Sequence, residues 1–168
     1  MRFLLLVIGI LYITPVLALS PPTGRVLLTL TGSITETNAG HTAKLDRKML
    51  NALPRYSITT KNPWVHQAHK YSGFSAVDLL KLTGGKGDLL RITALNKYVI
   101  EIPITDFTKR GAIFAMRKDS HPMSVRELGP ILVMYPFDDD PKLKNETYYW
   151  RSIWQISTIE VLTSPSKE

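Results

Sequence analysis

The side chains best suited to chemistry are aromatic, basic, hydroxyl and acidic residues that lie in or beside three predicted loops. They are Trp64, Arg117, Ser124, Arg126, Tyr135, Asp138, Asp139, Tyr149, Trp150, Arg151 and Trp154. This combination suits a flat, nitrogen-rich heterocycle, because indole and guanidinium groups stack on the face of such a ring. A carboxylate can accept the two adjacent N–H donors of a 2-amino-4-oxo-pyrimidine edge, while arginine can donate to its carbonyl oxygen and ring nitrogens.

Each of these residues also has a simpler explanation. Trp154 and Tyr135 can belong to the hydrophobic core, and the charged side chains can be solvated at the surface. Long loops inside a compact domain are nevertheless common places for binding. The combination therefore favours a ligand site, although no single residue does so alone.

Common catalytic and metal-binding signatures are absent from the sequence. There is no G-x-S-x-G motif and no dinucleotide fingerprint, and the glycine-rich stretch at 84–87 lacks the spacing and the Ser or Thr of a P-loop. His66 and His69 are three residues apart, but no third zinc ligand is evident. The aspartates at 138–140 lack the glycine and glutamate of an EF-hand. The chain has no cysteine, which excludes disulfides, thiolate ligands and a thiol nucleophile.

The N-terminus has the pattern of an export signal. Arg2 precedes an apolar run at 3–17, and small residues follow at the positions expected for cleavage after Ala18 or Ser20. An uncleaved anchor is the alternative, but the run is shorter than the roughly 20 residues of a spanning helix. We predict a signal peptide at 1–20, a single domain at 21–168 and a periplasmic location.

The charge of the chain does not indicate nucleic acid binding. The formal net charge is +7, but basic residues are scattered, with no run longer than a pair. A solvated basic surface explains this distribution, and contact with an acidic partner stays a lesser alternative.

The hydrophobic pattern predicts more strands than helices. Period-two or short apolar runs predict strands at 25–31, 56–60, 89–94, 98–102, 112–116, 131–135 and 155–162. Helices are predicted at 42–53 and, between Ser75 and Gly84, at 76–83, with shorter turns at 105–111 and 148–153. The predicted loops are 61–73, 117–129 and 136–147. Because strands and helices do not alternate, an α+β fold with a mixed or antiparallel sheet is expected.

Several segments resemble one known family. The runs HPMSVRELGPILVMYPFDD and YYWRSIWQISTIEV are similar to the C-terminal half of the molybdopterin-binding domain of the sulfite oxidase family. Upstream, LPRYSITTKNPW, YSGFSAVDLLKLTG and ITALNKYVIEIP resemble the strand, loop, helix and hairpin of the same domain. The resemblance covers about residues 25–162. It implies the sulfite-oxidase-type α+β fold, with a mixed β-sheet and short helices.

One departure from the family changes the function that the resemblance implies. The molybdenum enzymes of the family use a cysteine near the position of Thr59, Thr60 and Lys61, and this chain has none. A hard hydroxyl does not replace a soft thiolate as a molybdenum ligand. The chain more closely resembles small periplasmic pterin sensors that lack this cysteine, bind reduced pterins without molybdenum and have no enzymatic role. These proteins control a membrane-bound diguanylate cyclase or phosphodiesterase, and hence cyclic-di-GMP, through its periplasmic region.

The resemblance also implies roles for the candidate residues. Trp64 would be the stacking platform, and Asp138 or Asp139 would accept the pyrimidine edge. The donors would be Arg117, Ser124 and Arg126, and the residues closing the pocket would be Tyr135, Arg151 and Trp154. Two alternatives stay open, namely a molybdopterin-dependent oxidoreductase with atypical ligation and an interaction module that has lost its ligand.

Overall fold

The structure is a computed structural model that describes residues 19–62 and 64–164. The predicted signal peptide therefore lies outside the described residues, apart from Leu19 and Ser20. Within the described ranges, no helix is both long and apolar enough to cross a membrane.

Within the part of the chain that the structure describes, ten strands and four short helices follow one another. The strands are β1 (Val26–Gly32), β2 (Ala43–Asp46), β3 (Tyr56–Asn62), β4 (Val65–Phe74), β5 (Leu89–Ala94), β6 (Val99–Pro103), β7 (Ile113–Lys118), β8 (His121–Pro122), β9 (Leu132–Met134) and β10 (Ile156–Leu162). The helices are α1 (Arg47–Asn51), α2 (Ala76–Thr83), α3 (Thr105–Lys109) and α4 (Glu146–Arg151). Two 3₁₀ turns lie at Val125–Glu127 and Pro141–Leu143.

The first sheet is mixed, as predicted. Its order is β2-β1-β10-β5-β6, with β1 parallel to β10 and the other pairs antiparallel. In β1, Leu28 and Leu30 are fully buried while their neighbours are not, because successive side chains of a strand point to opposite faces. The same alternation buries Leu90 and Ile92 in β5. This alternation creates the apolar face of the sheet.

The second sheet positions the residues around Trp64. It is antiparallel, with β4 between β3 and β7, and with β8 and β9 both paired to β7. At Gly73 the strands approach so closely that a Cβ atom would overlap the carbonyl oxygen of Phe114. Buried side chains of both sheets belong to one hydrophobic core.

Helices begin at side chains that satisfy their free backbone N–H groups. The Asp46 carboxylate accepts the Met49 N–H of α1 at 2.9 Å and also the Gly24 N–H at 2.8 Å. Ser75 caps α2, and Gly84 ends that helix in the left-handed conformation with φ of 59°. The predicted limits of α2 are therefore confirmed.

Two predicted elements are wrong. The first half of the predicted helix at 42–53 is strand β2, in which Ala43 and Leu45 are buried and Lys44 is exposed, the period of two of a strand. The predicted loop at 61–73 consists mainly of the end of β3 and most of β4. The sequence pattern did not predict this strand, because the first half of β4 is largely exposed and carries polar residues.

Candidate functional site

Two adjacent cavities share the side chains of Trp64 and Trp154. The ring centroids of these tryptophans are 5.1 Å apart and their planes meet at 78°, an edge-to-face contact. One cavity, of about 210 Å³, has polar and charged groups in its wall, and we call it the polar cavity. The other, of about 140 Å³, is lined mainly by aromatic rings, and we call it the aromatic cavity.

Trp64 is held by the turn between β3 and β4. The Asn62 Oδ1 atom accepts the backbone N–H groups of Trp64 at 3.0 Å and of Val65 at 2.8 Å. The Asn62 amide also donates from Nδ2 to the Tyr71 hydroxyl at 3.0 Å. Asn62 is only 8 % exposed, so its hydrogen bonds stabilise the turn from the buried side. The indole of Trp64, in contrast, is 44 % exposed.

The polar cavity joins an apolar floor to a charged rim. Its apolar lining includes Leu128, Leu132 and Met134. Its charged lining consists of Lys118, at the end of β7, and the adjacent residues Arg126 and Glu127. Such a site can cover the face of a flat ring and still hydrogen-bond to its edge.

Glu127 is anchored by the backbone that precedes it. Its Oε2 atom accepts the Ser124 N–H at 3.0 Å, as in a capping box, and also accepts the Ser124 hydroxyl at 2.8 Å. The hydrogen bond from the Ser124 N–H is the main cause that lowers the pKa of Glu127. Glu127 therefore enters the cavity wall as a carboxylate, and both bonds from Ser124 end on one of its oxygens.

Three of the nine predicted site residues come together at the polar cavity, namely Trp64, Arg126 and Trp154. Ser124 instead caps the 3₁₀ turn and faces another cavity beside Pro130. Arg117 was predicted in a loop, but it belongs to β7 and faces a separate crevice with Ser72. Its guanidinium donates to the Ser120 carbonyl oxygen at 2.8 Å. Neighbouring strand residues point to opposite faces, so Arg117 and Lys118 diverge.

Tyr135 and Arg151 meet at a buried carboxylate instead of at the cavity. The fully buried Tyr135 donates its hydroxyl to Asp106 Oδ2 at 2.7 Å, and Arg151 Nη1 donates to the same oxygen at 3.0 Å. Burial raises the pKa of Tyr135, so its phenol stays protonated. The sequence reasoning did not single out Asp106, although it is an acidic residue within a predicted helical turn.

Asp138 and Asp139 were predicted to accept the pyrimidine edge, but neither lines the polar cavity. Asp138 accepts the Lys61 N–H at 2.9 Å and the Lys144 ammonium at 3.2 Å. Its own N–H donates to Thr60 Oγ1 at 3.2 Å, so the residue ties its loop to the end of β3. Asp139 is exposed, and its N–H donates to the Pro136 carbonyl.

The bond between Asp138 and β3 is expected to depend on pH. The Lys61 N–H is the main group that lowers the pKa of Asp138 below its usual value. The stabilisation is therefore complete above about pH 3.9, the usual pKa of aspartate, and is lost as the pH falls through the lower folded-state pKa. The Lys61 amide resonance in NMR spectra should report this titration. In Asp138→Asn that titration should disappear, and an unchanged profile would contradict the assignment.

Five polar residues of the cavity were missed by the sequence reasoning, namely Asn62, Tyr71, Lys118, Glu127 and Ser152. Asn62 and Tyr71 come together through the pairing of β3 with β4, and Lys118 is paired with Tyr71 across β4 and β7. Since β4 was predicted to be a loop, its register could not be used. The one available signal was the Asn-Pro pair before Trp64, which is typical of a turn.

The residues near the end of β3 do not fit a thiolate-bound molybdenum. Thr60 is fully buried, and its hydroxyl donates to the Lys61 carbonyl at 2.8 Å while accepting the Asp138 N–H. His69 is paired through Nδ1 with Asp119 at 2.6 Å. Within residues 19–62 and 64–164, no three His, Cys, Asp or Glu side chains are placed to hold a metal ion.

Comparison with solved structures identifies the fold. The sulfane dehydrogenase SoxCD from Paracoccus pantotrophus matches with a TM-score of 0.60 and 14 % sequence identity. The match covers 84 % of this chain but only 39 % of that one. No protein-family profile and no curated protein sequence matches the chain. The fold is the predicted sulfite-oxidase-type α+β fold, with a mixed sheet and short helices.

Proposed function

We propose that the protein is a periplasmic sensor that binds a reduced pterin without molybdenum and regulates a membrane-bound cyclic-di-GMP enzyme. One observation carries the binding part of this proposal. Trp64, Arg126 and Trp154, which the sequence marked as candidates for a flat heterocycle, line one polar cavity at the end of β3. They do so in a fold of the sulfite-oxidase type.

The wall of the polar cavity offers a partner to each part of a pterin ring. An indole of Trp64 or Trp154 can cover the ring face, while Leu128 and Met134 supply apolar contacts. Lys118 and Arg126 can donate to the carbonyl oxygen and ring nitrogens. Glu127 lines the cavity, unlike Asp138 and Asp139, and can accept a pyrimidine N–H group at Oε1, which receives neither bond from Ser124.

The size of the cavity favours the ring alone. Pockets for drug-sized ligands have volumes of roughly 300–1,000 Å³, whereas this cavity measures about 210 Å³. A bicyclic pterin is a better match than a full molybdopterin with its metal-binding and phosphate-bearing parts. The cavity volume therefore favours a pterin ring without the metal-binding part of molybdopterin.

The signalling part of the proposal rests on the resemblance to periplasmic pterin sensors and on the predicted signal peptide. A ligand can inform a partner only if the surface offered to that partner differs between the empty and occupied states. Trp64 is suited to this task because its half-exposed ring belongs to the cavity wall and to the outer surface. The partner would be the periplasmic region of a diguanylate cyclase or phosphodiesterase.

Calorimetric titration with tetrahydropterin and dihydropterin tests the binding part. Tetrahydrolumazine is the matched control for tetrahydropterin, because it is reduced to the same level but has a carbonyl in place of the 2-amino donor. We expect saturable pterin binding and roughly tenfold weaker binding of tetrahydrolumazine, the effect of about one lost hydrogen bond. If neither reduced pterin bound saturably, the binding part of the proposal would be wrong.

Elemental analysis separates the proposal from the oxidoreductase alternative. Because the chain has no thiolate, protein purified from a molybdate-fed host is expected to contain negligible molybdenum by mass spectrometry. A cysteine-containing enzyme of the same fold, purified in parallel, serves as the positive control. Stoichiometric molybdenum in the present protein would favour the oxidoreductase instead.

A further inference from the structure

The aromatic cavity is bounded by five aromatic side chains. They are Trp64, Tyr98, Tyr149, Trp150 and Trp154. The cavity measures about 140 Å³, and among the described residues that line it none is acidic or basic. Its other lining residues are Ala94, Asn96 and Ile153. This composition differs sharply from that of the polar cavity on the other side of the tryptophan pair.

The rings are brought together from separate parts of the chain. Trp64 comes from the β3–β4 turn and Tyr98 from the β5–β6 hairpin, whereas Trp150 lies in α4. Trp64 and Trp154 form two walls that meet at 78°. Trp150 is 65 % exposed and Tyr98 is 40 % exposed, so these rings contribute little to the core. Clustered exposed aromatic surface of this kind marks binding sites more often than it stabilises a fold.

The aromatic side chains that line the cavity favour a cation that carries no N–H group. Ring faces attract a positive charge within about 6 Å of the ring centroid through their quadrupole. A primary ammonium would need hydrogen-bond acceptors to replace its water, and the wall offers few. A quaternary ammonium has no such need.

We propose that the aromatic cavity is a binding site for a quaternary ammonium group. The site is distinct from the polar cavity, and the proposal does not depend on pterin binding. The net charge of +7 opposes a cation, so the expected affinity is modest, with a Kd on the order of 1 mM. The group could come from a free choline-type molecule or from a choline headgroup of a lipid.

Titration of the pterin-free protein with choline, followed by NMR, tests the proposal. The control ligand is 3,3-dimethylbutan-1-ol, which has the same shape as choline but no charge. We expect saturable choline binding that is about tenfold tighter than binding of the neutral analogue, because only the cation gains from the ring quadrupoles. Equal binding of the two ligands would show a plain apolar pocket and overturn the proposal, as would absence of choline binding.

Variants locate the binding on the aromatic cavity. Trp150→Ala should weaken choline binding about fivefold or more, and Trp150→Phe should keep part of it, because a smaller π face remains. Val99→Ala is the matched control, since Val99 is 48 % exposed on β6 but does not line the cavity. Trp150→Ala should leave pterin affinity unchanged. Choline affinity that is insensitive to Trp150→Ala would overturn the assignment.

Vesicle co-sedimentation distinguishes the two sources of the group. Co-sedimentation with phosphatidylcholine but not phosphatidylethanolamine vesicles would identify a lipid headgroup as the ligand. Co-sedimentation with neither, together with choline binding, would identify a free small molecule. Either result supports a site selective for the quaternary group. Equal co-sedimentation with both lipids, abolished by Trp150→Ala, would overturn that selectivity.

Discussion

Substitution of Trp64 by alanine is expected to weaken binding of a reduced pterin on the order of tenfold to a hundredfold. Stacking of a base on an aromatic side chain is worth about 1–3 kcal/mol by alanine substitution, and a pterin presents a comparable face. The fold should survive, because Trp64 is 44 % exposed and its backbone is held by Asn62 independently of the indole. Calorimetry and thermal melting of the same preparations measure both effects.

Two further variants test whether the loss of pterin affinity comes from the π face of Trp64. Trp64→Phe should retain part of the affinity because it preserves a π face of smaller area. Trp150→Ala removes a more exposed tryptophan that lines only the aromatic cavity, so pterin affinity should not change. If Trp64→Ala melted far below the wild type, Trp64 would be a core residue and the stacking role would have to be abandoned.

Trp64→Ala should also uncouple the partner. The segment at 61–73 was predicted to be a loop, but it belongs largely to β3 and β4. Any change in surface must therefore be local to the Trp64 side chain and its turn. A pull-down with the periplasmic region of the cyclic-di-GMP enzyme should depend on pterin for the wild type and not for Trp64→Ala. Equal pterin dependence of the wild type and Trp64→Ala would show that Trp64 does not couple pterin binding to the partner.

The fold could be predicted where local pattern and tertiary role agree. In β1 and β5, alternating apolar residues face the core, and Ser75 and Gly84 mark the limits of α2. The prediction failed at β2 and β4 for different reasons. β2 is a short strand that runs directly into α1 at Asp46, so Leu45, Met49 and Leu50 have the spacing of the apolar stripe of one helix. β4 extends beyond the core, and its exposed half carries no apolar alternation.

The candidate site was predictable only in part, because several of its contacts depend on strand register. Trp64 and Trp154 could be identified as candidates from the sequence, but only in combination with the other candidate residues did they indicate a binding site. Lys118 lines the polar cavity and Arg117 does not, because the two side chains lie on opposite faces of β7. Tyr135 and Arg151 both donate hydrogen bonds to Asp106, from which they are separated by 29 and 45 positions in the sequence. No local sequence pattern predicts contacts of such long range.

Replacement of Asp106 by alanine is expected to destabilise the protein by about 3 kcal/mol or more. Removing one partner of a buried ion pair costs roughly 3–5 kcal/mol, because the remaining polar groups lose their bonds without regaining water. Arg151 is 25 % exposed and can recover some hydration, which favours the lower end of that range. Tyr135 is fully buried, and its hydroxyl cannot regain water once Asp106, the acceptor of its hydrogen bond, is removed.

Thermal melting measures this effect directly. In a domain of this size, each kcal/mol corresponds to about 2–4 °C, so Asp106→Ala should melt about 6–12 °C below the wild type. Asp139→Ala is the matched control, because that carboxylate is exposed and its loss should change stability by less than about 0.5 kcal/mol.

A double-mutant cycle then tests whether Asp106 acts through Tyr135. Tyr135→Phe alone should cost about 1–3 kcal/mol, since it leaves the buried carboxylate one donor short. The double variant with Asp106→Ala should cost less than the sum of the single changes, because both remove the same 2.7 Å hydrogen bond. Additive costs would show that the two side chains stabilise the core independently.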